Sequence, residues 1–354
     1  PRVRKNMEVA LELGMTVLFI GAKRTKGLPK NEMWAGVAVE RLGIVYPSSS
    51  LKYLLGTPIF AVAVMIWLIR NRPEIIHASD VEGMLGVVLY TLLGGKSFKI
   101  FNIHDNFGLR YKVPKWFKTL LCKFEATIGK FADVVLVPDE SRLKLLAPWK
   151  PDNFFIIPNT PKDPGHQTTT INEEVKIFAS GWITEQRGYV QLGELVKLNE
   201  NVELVICGRG SDKMIDYIRS LPRTSFYGYL PQEEALKIGS KCDLIFAFYD
   251  PSYEINIFAS PNKVFDALAL GRPVLINEET EIAKWVKANN VGYCIPYGSV
   301  RALNQLIDGI IENTEEYYKI SRKARELYEL EYRWDVIKEN IKKIFEKTSG
   351  NYSS

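Results

Sequence analysis

Cysteine and histidine are scarce in this chain: its 354 residues include 4 Cys and 3 His. Cys122, Cys207, Cys242 and Cys294 are isolated from one another and form no CxxC pair. That usage speaks against a dedicated zinc cage and a disulfide framework, and fits a reducing compartment. Long apolar runs are lacking too. The most apolar stretch, 59–69, has Pro58 at its head, is too short to cross a bilayer and reads as a buried helix. No short repeat is present, and no signal-peptide pattern opens the chain. It starts in a helix, with Val3, Met7, Ala10 and Leu11 at helical spacing and Gly14 at the stop. A strand follows at 16–20. An α/β domain usually begins with a strand, so one strand and its Gly-containing loop are expected upstream.

What is present is an ordinary globular composition. Hydrophobic residues make up 46%, and 17 Phe, 17 Tyr and 7 Trp supply ample core, which excludes disorder. The length suggests roughly two domains. The net charge of +5 hides an asymmetry: residues 1–160 carry 22 Lys/Arg against 13 Asp/Glu, and the remainder 24 against 28. A basic half joined to a mildly acidic half points to one surface that meets an anionic partner.

Strand-like runs alternate with helical patterns. In the first half strands are expected at 16–20, 75–77, 99–103, 134–137 and 154–157, with helices near 2–13, 51–70, 82–94, 114–130 and 139–146. A polar segment, 159–172, reads as a linker. The pattern then restarts, with strands at 176–180, 202–207, 225–227, 244–248 and 273–276 and helices between them. Alternation of this kind implies parallel sheets covered on both faces. The expected domains are 1–160, a linker 161–174, 175–330, and a helix 331–354 that returns to the first domain. Tyr332, Trp334, Ile337, Ile341 and Ile344 form the apolar stripe of that last stretch.

Ligands of open parallel sheets bind outside the carboxyl ends of the strands. Four strand exits in the second half stand out. Gly181 ends one strand, and Arg187-Gly188 opens the next helix with a full positive charge suited to a phosphate. Gly208-Arg209-Gly210 follows a strand and allows close backbone approach to an anion, but lacks the third glycine of a dinucleotide fingerprint. Tyr227-Gly228-Tyr229-Leu230-Pro231 is a turn whose planar groups suit a base. The most specific run is SPNKVFDALALGRPV at 260–274. Ser260-Pro261 signals a cap and first turn, Gly271 a stop, and Lys263 adds charge to an uncovered helix N-terminus. Asp266 lies one turn on, near the face of Asn262 and Lys263, where a carboxylate accepts from a vicinal diol such as a ribose.

This order of motifs resembles the donor domain of retaining GT-B glycosyltransferases of the family 4 group, in its SPNK-type subgroup. The first half agrees: PRVRKN at the start, IIHASD at 75–80, Ile103-His104-Asp105, FADVVLV at 131–137 and Ile157-Pro158-Asn159 are similar to that family's acceptor domain. The resemblance covers essentially the whole chain. It implies a GT-B fold, two Rossmann-like doubly wound domains facing across a cleft. It also implies sugar transfer from a nucleoside diphosphate sugar with retention, by front-face attack, with no metal and no cofactor. By the resemblance, Arg187, Lys263 and the 260–263 turn (Ser260, Pro261, Asn262) hold the diphosphate. Gly181 and Gly208 lie under the nucleotide, Tyr229 and Leu230 meet the base, Asp266 holds the ribose, and His104 faces the donor sugar. Phe258 stands where many members have a first glutamate, Trp182 where some have a second cation, and Asp266 is one methylene shorter than the usual Glu.

The segment 110–130, RYKVPKWFKTLLCKFEATIGK, sets Arg110, Lys112, Lys115 and Lys118 among Trp116 and other apolar residues. It reads either as an interfacial amphipathic helix for an anionic membrane surface or a bound acceptor, or as a domain helix with solvated lysines. The expected partners are a nucleotide sugar and a glycan or lipid-linked acceptor at the cytoplasmic face of a membrane, with no nucleic acid. Two alternatives stay open: a GT-B-like nucleotide-sugar epimerase, which needs acid and base carboxylates, and a non-catalytic sugar-nucleotide-binding protein.

Overall fold

A computed structural model describes residues 2–23, 27–45, 50–166, 170–171 and 173–350, the last few and those at 43–45 and 50–55 by backbone alone. The chain forms two compact units, Pro1–Ile157 with Lys338–Ser354, and Pro158–Ile337. Of the expected linker, 167–169 and 172 lie outside the described residues. Its earlier part is seated on the second unit: Thr160 donates to the Tyr332 carbonyl, Tyr328 to the Pro161 carbonyl, and Asp163 pairs with Arg325 at 2.8 Å.

In the first unit, β1 (Leu18–Lys23), β2 (Asn31–Trp34) and β3 (Val37–Val45) form one sheet, ordered β1-β3-β2. A second sheet runs β4 (Ile75–Ser79), β5 (Phe98–Asn102), β6 (Val134–Val137) and β7 (Phe154–Ile156) in sequence order, all parallel. No ladder joins the two sheets among the described residues. The antiparallel β2–β3 hairpin goes beyond the sequence reading. Its two-residue turn is Ala35-Gly36, with φ of 51° and 80°, the left-handed pair that lets strands twist together.

Helices Ser50–Asn71, Asp80–Leu92 and Lys115–Gly129 pack side by side. A Cβ on Gly86 would lie 2.6 Å from Val64 Cβ, so glycine permits the first two to approach closely. The first of these helices corrects the buried-helix expectation. Phe60, Ala61, Val64 and Leu68 face the core, but Ile59, Val62, Ile66 and Ile69 are exposed.

The second unit holds one six-stranded parallel sheet: β8 (Val175–Ile183), β9 (Val202–Gly210), β10 (Thr224–Phe226), β11 (Leu244–Ala247), β12 (Val274–Asn277) and β13 (Gly292–Ile295). Their order is β10-β9-β8-β11-β12-β13. Side chains alternate strictly between two cores. Ile177, Leu204, Leu244 and Leu275 join one, whereas Phe178, Val205, Ile245 and Val274 join the other. Both faces are dry, which is why these strands read as unbroken apolar runs. Helix Trp334–Gly350 then carries Ile341 and Ile344, both buried, into the first unit, and Lys338 pairs with Glu12 at its surface.

Strands β8 and β9 run three residues past their expected ends, pairing Gly181 with Gly208 and Ile183 with Gly210. A Cβ on Gly208 would sit 2.1 Å from the Gly181 carbonyl oxygen. The glycine is needed first for strand against strand. Gly208→Ala is therefore expected to cost about 1–3 kcal/mol as the ladder is forced apart. Thermal unfolding checks this, and an unchanged Tm would mean that the strands separate freely.

Candidate functional site

In the second unit the chain starts on central β8, winds outward to β10, then restarts on the other side at β11. The reversal between β8 and β11 leaves a crevice at their carboxyl ends. Arg187 stands there, closing the turn Glu185–Arg187, and Gly188 follows with φ of 71°. A Cβ on Gly188 would lie 2.7 Å from Phe248 Cβ, so the exit of β8 passes against that of β11 only as glycine.

The Arg187 guanidinium carbon lies 4.0 Å from the centroid of the Tyr249 ring. Tyr249 is itself anchored where its backbone N–H donates to Asn277 Oδ1 at 2.7 Å. The ring's π face steadies the charge without using its N–H groups. Nη1 is buried and has no protein partner. A buried donor left unanswered costs about 1–3 kcal/mol, so this group is poised for an acceptor oxygen. Tyr249 was missed in the sequence, because nothing local marks a ring as the seat of an arginine 62 positions away.

Helix Asn262–Leu270 begins beside the same crevice, following β11. The expected Ser260 cap does not form. Pro261 is the N-cap, no side chain caps the helix, and Ser260 Oγ is buried without a partner. The positive end of the helix is thus not answered by a side chain of its own. Lys263 reaches Asp266 Oδ2 at 2.7 Å, and Gln232 Nε2 donates to Asp266 Oδ1 at 2.9 Å. Asp266 is only 1% exposed. Both carboxylate oxygens are therefore engaged inside the protein, and Asp266 fixes the Lys263 ammonium. Lys263 also lies near the Cys207 thiol, whose pKa burial raises to about 11 against the pull of that ammonium.

At the exits of β9 and β10 the backbone joins through Gly208, whose N–H donates to the Gly228 carbonyl at 2.7 Å. Tyr229 is exposed and Leu230 packs partly on the core. The Arg209 guanidinium carbon sits 3.9 Å from the Tyr229 ring centroid and 5.7 Å from that of Trp182. The three make an exposed planar platform, of which the sequence assigned a base contact only to Tyr229.

The first unit gathers charge at its own strand ends. His104, just past β5, donates its backbone N–H to Asp80 Oδ1 at 2.8 Å. Asp80, just past β4, takes φ of 57°, uncommon for a residue with a side chain. Its Oδ2 pairs with Arg110 at 2.7 Å, and Arg110 also binds Glu82 and the Asp105 carbonyl. Burial opposes the charge of Arg110, but Asp80, Glu82 and Asp105 outweigh it and raise its pKa. Arg110 thus braces the Asp80, Glu82 and Asp105 segment. Asp105 pairs with Arg142 at 2.9 Å. The His104 imidazole is held below its ordinary pKa by burial, and its Nε2 is buried without a partner. Lys112, Lys115 and Trp116 are exposed, whereas Lys118 is half-buried. Among the described residues, no group of three or more His, Cys, Asp or Glu is arranged to hold a metal ion.

The turn after His104 is tied to buried Glu125, whose Oε2 accepts from Phe107 N–H at 3.0 Å and Asn106 at 3.3 Å. Burial pushes its pKa up to about 8. A raised carboxyl pKa gives stability that is complete below the unfolded value near 4.5 and is lost as pH rises toward 8. His77, brought down by burial to about 4, acts oppositely, losing stability as pH falls from 6.5. Glu125→Gln is expected to match the parent near about pH 4.5 and to exceed it by about 5 kcal/mol near about pH 8.5. Denaturation at both pH values checks this, and a gap that does not widen with pH would show that Glu125 ionises normally.

Residues 163–327 match the family model described as glycosyl transferases group 1, and the match lies within the second unit. No curated protein is similar enough in sequence to match. Among solved structures, the chain is similar to a sucrose-phosphate synthase of Thermosynechococcus elongatus. The TM-score is 0.76 at 16% identity, over 99% of this chain and 93% of that one. It is similar to a glycosyltransferase of Rickettsia africae, with TM-score 0.71 at 16% identity over 98% and 95%. HepE of Anabaena, solved with UDP, gives TM-score 0.69 at 13% identity over 94% and 100%. At such identities the likeness is one of fold: α/β, with two Rossmann-like units of the GT-B glycosyltransferase type.

Proposed function

We propose that this chain is a retaining glycosyltransferase that moves a hexosyl group from a nucleoside diphosphate sugar to a glycan or lipid-linked acceptor, without a metal ion. The observation that carries the reading is Arg187: stacked on Tyr249 at 4.0 Å, with a buried N–H left unanswered at the crevice of the donor-side sheet. In the reaction the bond from the anomeric carbon to the diphosphate oxygen breaks and one to an acceptor oxygen forms. Negative charge grows on the departing diphosphate, and fixed donors aimed at it lower the barrier. Arg187, Lys263 and the open helix N-terminus, where Ser260 and Asn262 supply backbone N–H groups and Pro261 supplies none, are the groups proposed to take that charge.

Gly181 and Gly208 are proposed to let the nucleotide lie close to the strand ends, with Tyr229 and Leu230 beside the base. For Asp266 the hydrogen bonds favour a positioning role, holding Lys263 in place, over direct contact with ribose. His104 is proposed to orient the transferred sugar as a neutral imidazole, since burial holds its pKa down. The glycosyl transferase family model and the UDP bound by HepE support the donor class. Neither the epimerase nor the non-catalytic alternative is favoured: the matched model and two of the similar solved proteins are named for transfer or synthesis. A cytoplasmic location and peripheral association with a membrane, through Lys112, Lys115, Trp116 and Lys118, belong to the same proposal.

The test is transfer from a panel of UDP-, GDP- and ADP-sugars in the presence of a chelator. Activity is expected to persist, and strict dependence on a divalent ion would overturn the mechanism. Arg187→Ala is expected to lose about 2–4 kcal/mol of transition-state stabilisation, read as kcat/KM. A loss below about tenfold would remove Arg187 from this role.

A further inference from the structure

Helix Ser50–Asn71 carries an apolar stripe that the described residues leave exposed. Ile59, Val62, Ile66 and Ile69 are 61%, 44%, 40% and 40% exposed. At 100° per residue they fall within about 80° of the helix circumference, so they form one narrow face and not a scatter. The same helix turns Phe60, Val64 and Leu68 into the core, and its sequence holds no acidic residue. Arg70 and Arg72 at its end are exposed.

Helix Lys115–Gly129 belongs to the same layer of three helices, with Asp80–Leu92 between. It exposes Trp116, Leu120 and Phe124, spaced one turn apart. Exposed Lys115, Lys123 and Lys130 stand among them. Its one acid, Glu125, is fully buried. The acids of the middle helix, Asp80 and Glu82, are occupied by Arg110. The three helices therefore show apolar side chains and cations outward, and no exposed carboxylate. A protein partner chosen by shape alone would not require that one-sided exclusion of acids. An anionic lipid surface does, because it attracts each nearby cation and takes up apolar side chains at the headgroup boundary. No helix among the described residues is long and apolar enough to span a bilayer.

We infer that helix Ser50–Asn71 is the element that enters the lipid interface, by the Ile59–Val62–Ile66–Ile69 face, while the lysines of helix Lys115–Gly129 hold the headgroups. The inference rests on the peripheral-membrane part of the proposed function and names its inserting element.

Flotation of the full chain with vesicles of phosphatidylcholine, with and without phosphatidylglycerol, tests it. The parent is expected to float only with the anionic vesicles. The double variant Ile59→Ser/Ile66→Ser is expected to lose roughly tenfold or more in partitioning, with an unchanged Tm because both sites are exposed. Lys115→Glu/Lys123→Glu is expected to lose binding as well, and added salt to weaken the parent severalfold. If the parent floats and the serine variant floats equally, while the glutamate variant does not, the inserting helix is wrong and the membrane reading survives. If the parent floats with neither vesicle, both fail. If sedimentation shows the parent as a dimer that the serine variant splits, the stripe is a subunit interface and the inference is overturned.

Discussion

Removing a guanidinium from water obliges the protein to answer its charge and its five N–H groups, and the answer chosen separates structural arginines from available ones. Arg272, which follows the long helix of the SPNK run, is 1% exposed and donates to the carbonyls of Cys242, Ser240 and Gly271. Its donors are spent on holding the turn between that helix and β12. Arg187 is answered by the face of Tyr249, which offers charge stabilisation but accepts no conventional hydrogen bond. Its position is fixed while a donor stays unused. The whole β8 exit is shaped around this: the positive φ of Gly188, the lack of room for a Cβ there, and the anchoring of Tyr249 by Asn277.

The first unit uses carboxylates where the second uses a ring. Asp80 spans two jobs, accepting the His104 N–H and pairing with Arg110, and its left-handed backbone is held by those bonds. His104 is thereby placed through its backbone, not its ring, so the imidazole stays unengaged at Nε2. The surrounding burial also sets two opposing pH dependences. His77 and His104 resist protonation, and Glu125 resists ionisation. Between them the polar layer under the strand ends carries less formal charge than its composition implies.

How much of this was legible in the sequence follows from how local each signal is. Parallel strands buried on both faces leave continuous apolar runs, and β9, β11 and β12 were readable for that reason. The β2–β3 hairpin was not, because β2 is mostly exposed and lacks such a run and the hairpin's signal is one Ala-Gly turn. Glycines at 208 and 210 were legible as places of close approach, but not what approaches: the partner proves to be the neighbouring strand. Asp266 shows the same limit. Its nearness to Lys263 follows from helical spacing, whereas Gln232, which takes its other oxygen, comes from a helix 34 residues away. Ile59 to Ile69 gave a helix, but hydrophobicity alone does not say that one face has no neighbour.

The charge asymmetry of the chain likewise acquires its meaning only from placement. The excess of cations in residues 1–160 is not spent at the first unit's strand ends, where Arg110 and Arg142 meet Asp80, Glu82 and Asp105. It remains on exposed helix surfaces, at Arg70, Arg72, Lys115, Lys123 and Lys130, where it acts on partners over roughly a Debye length. Residues 161–354 have an excess of acids, yet the crevice proposed for a diphosphate lies among them. There the net charge is irrelevant. For the leaving group proposed there, one guanidinium, one ammonium and an uncapped helix N-terminus act at short range, and the distant surface acids are screened. Net charge therefore informs the approach of a partner in the first unit, and local geometry decides the chemistry in the second.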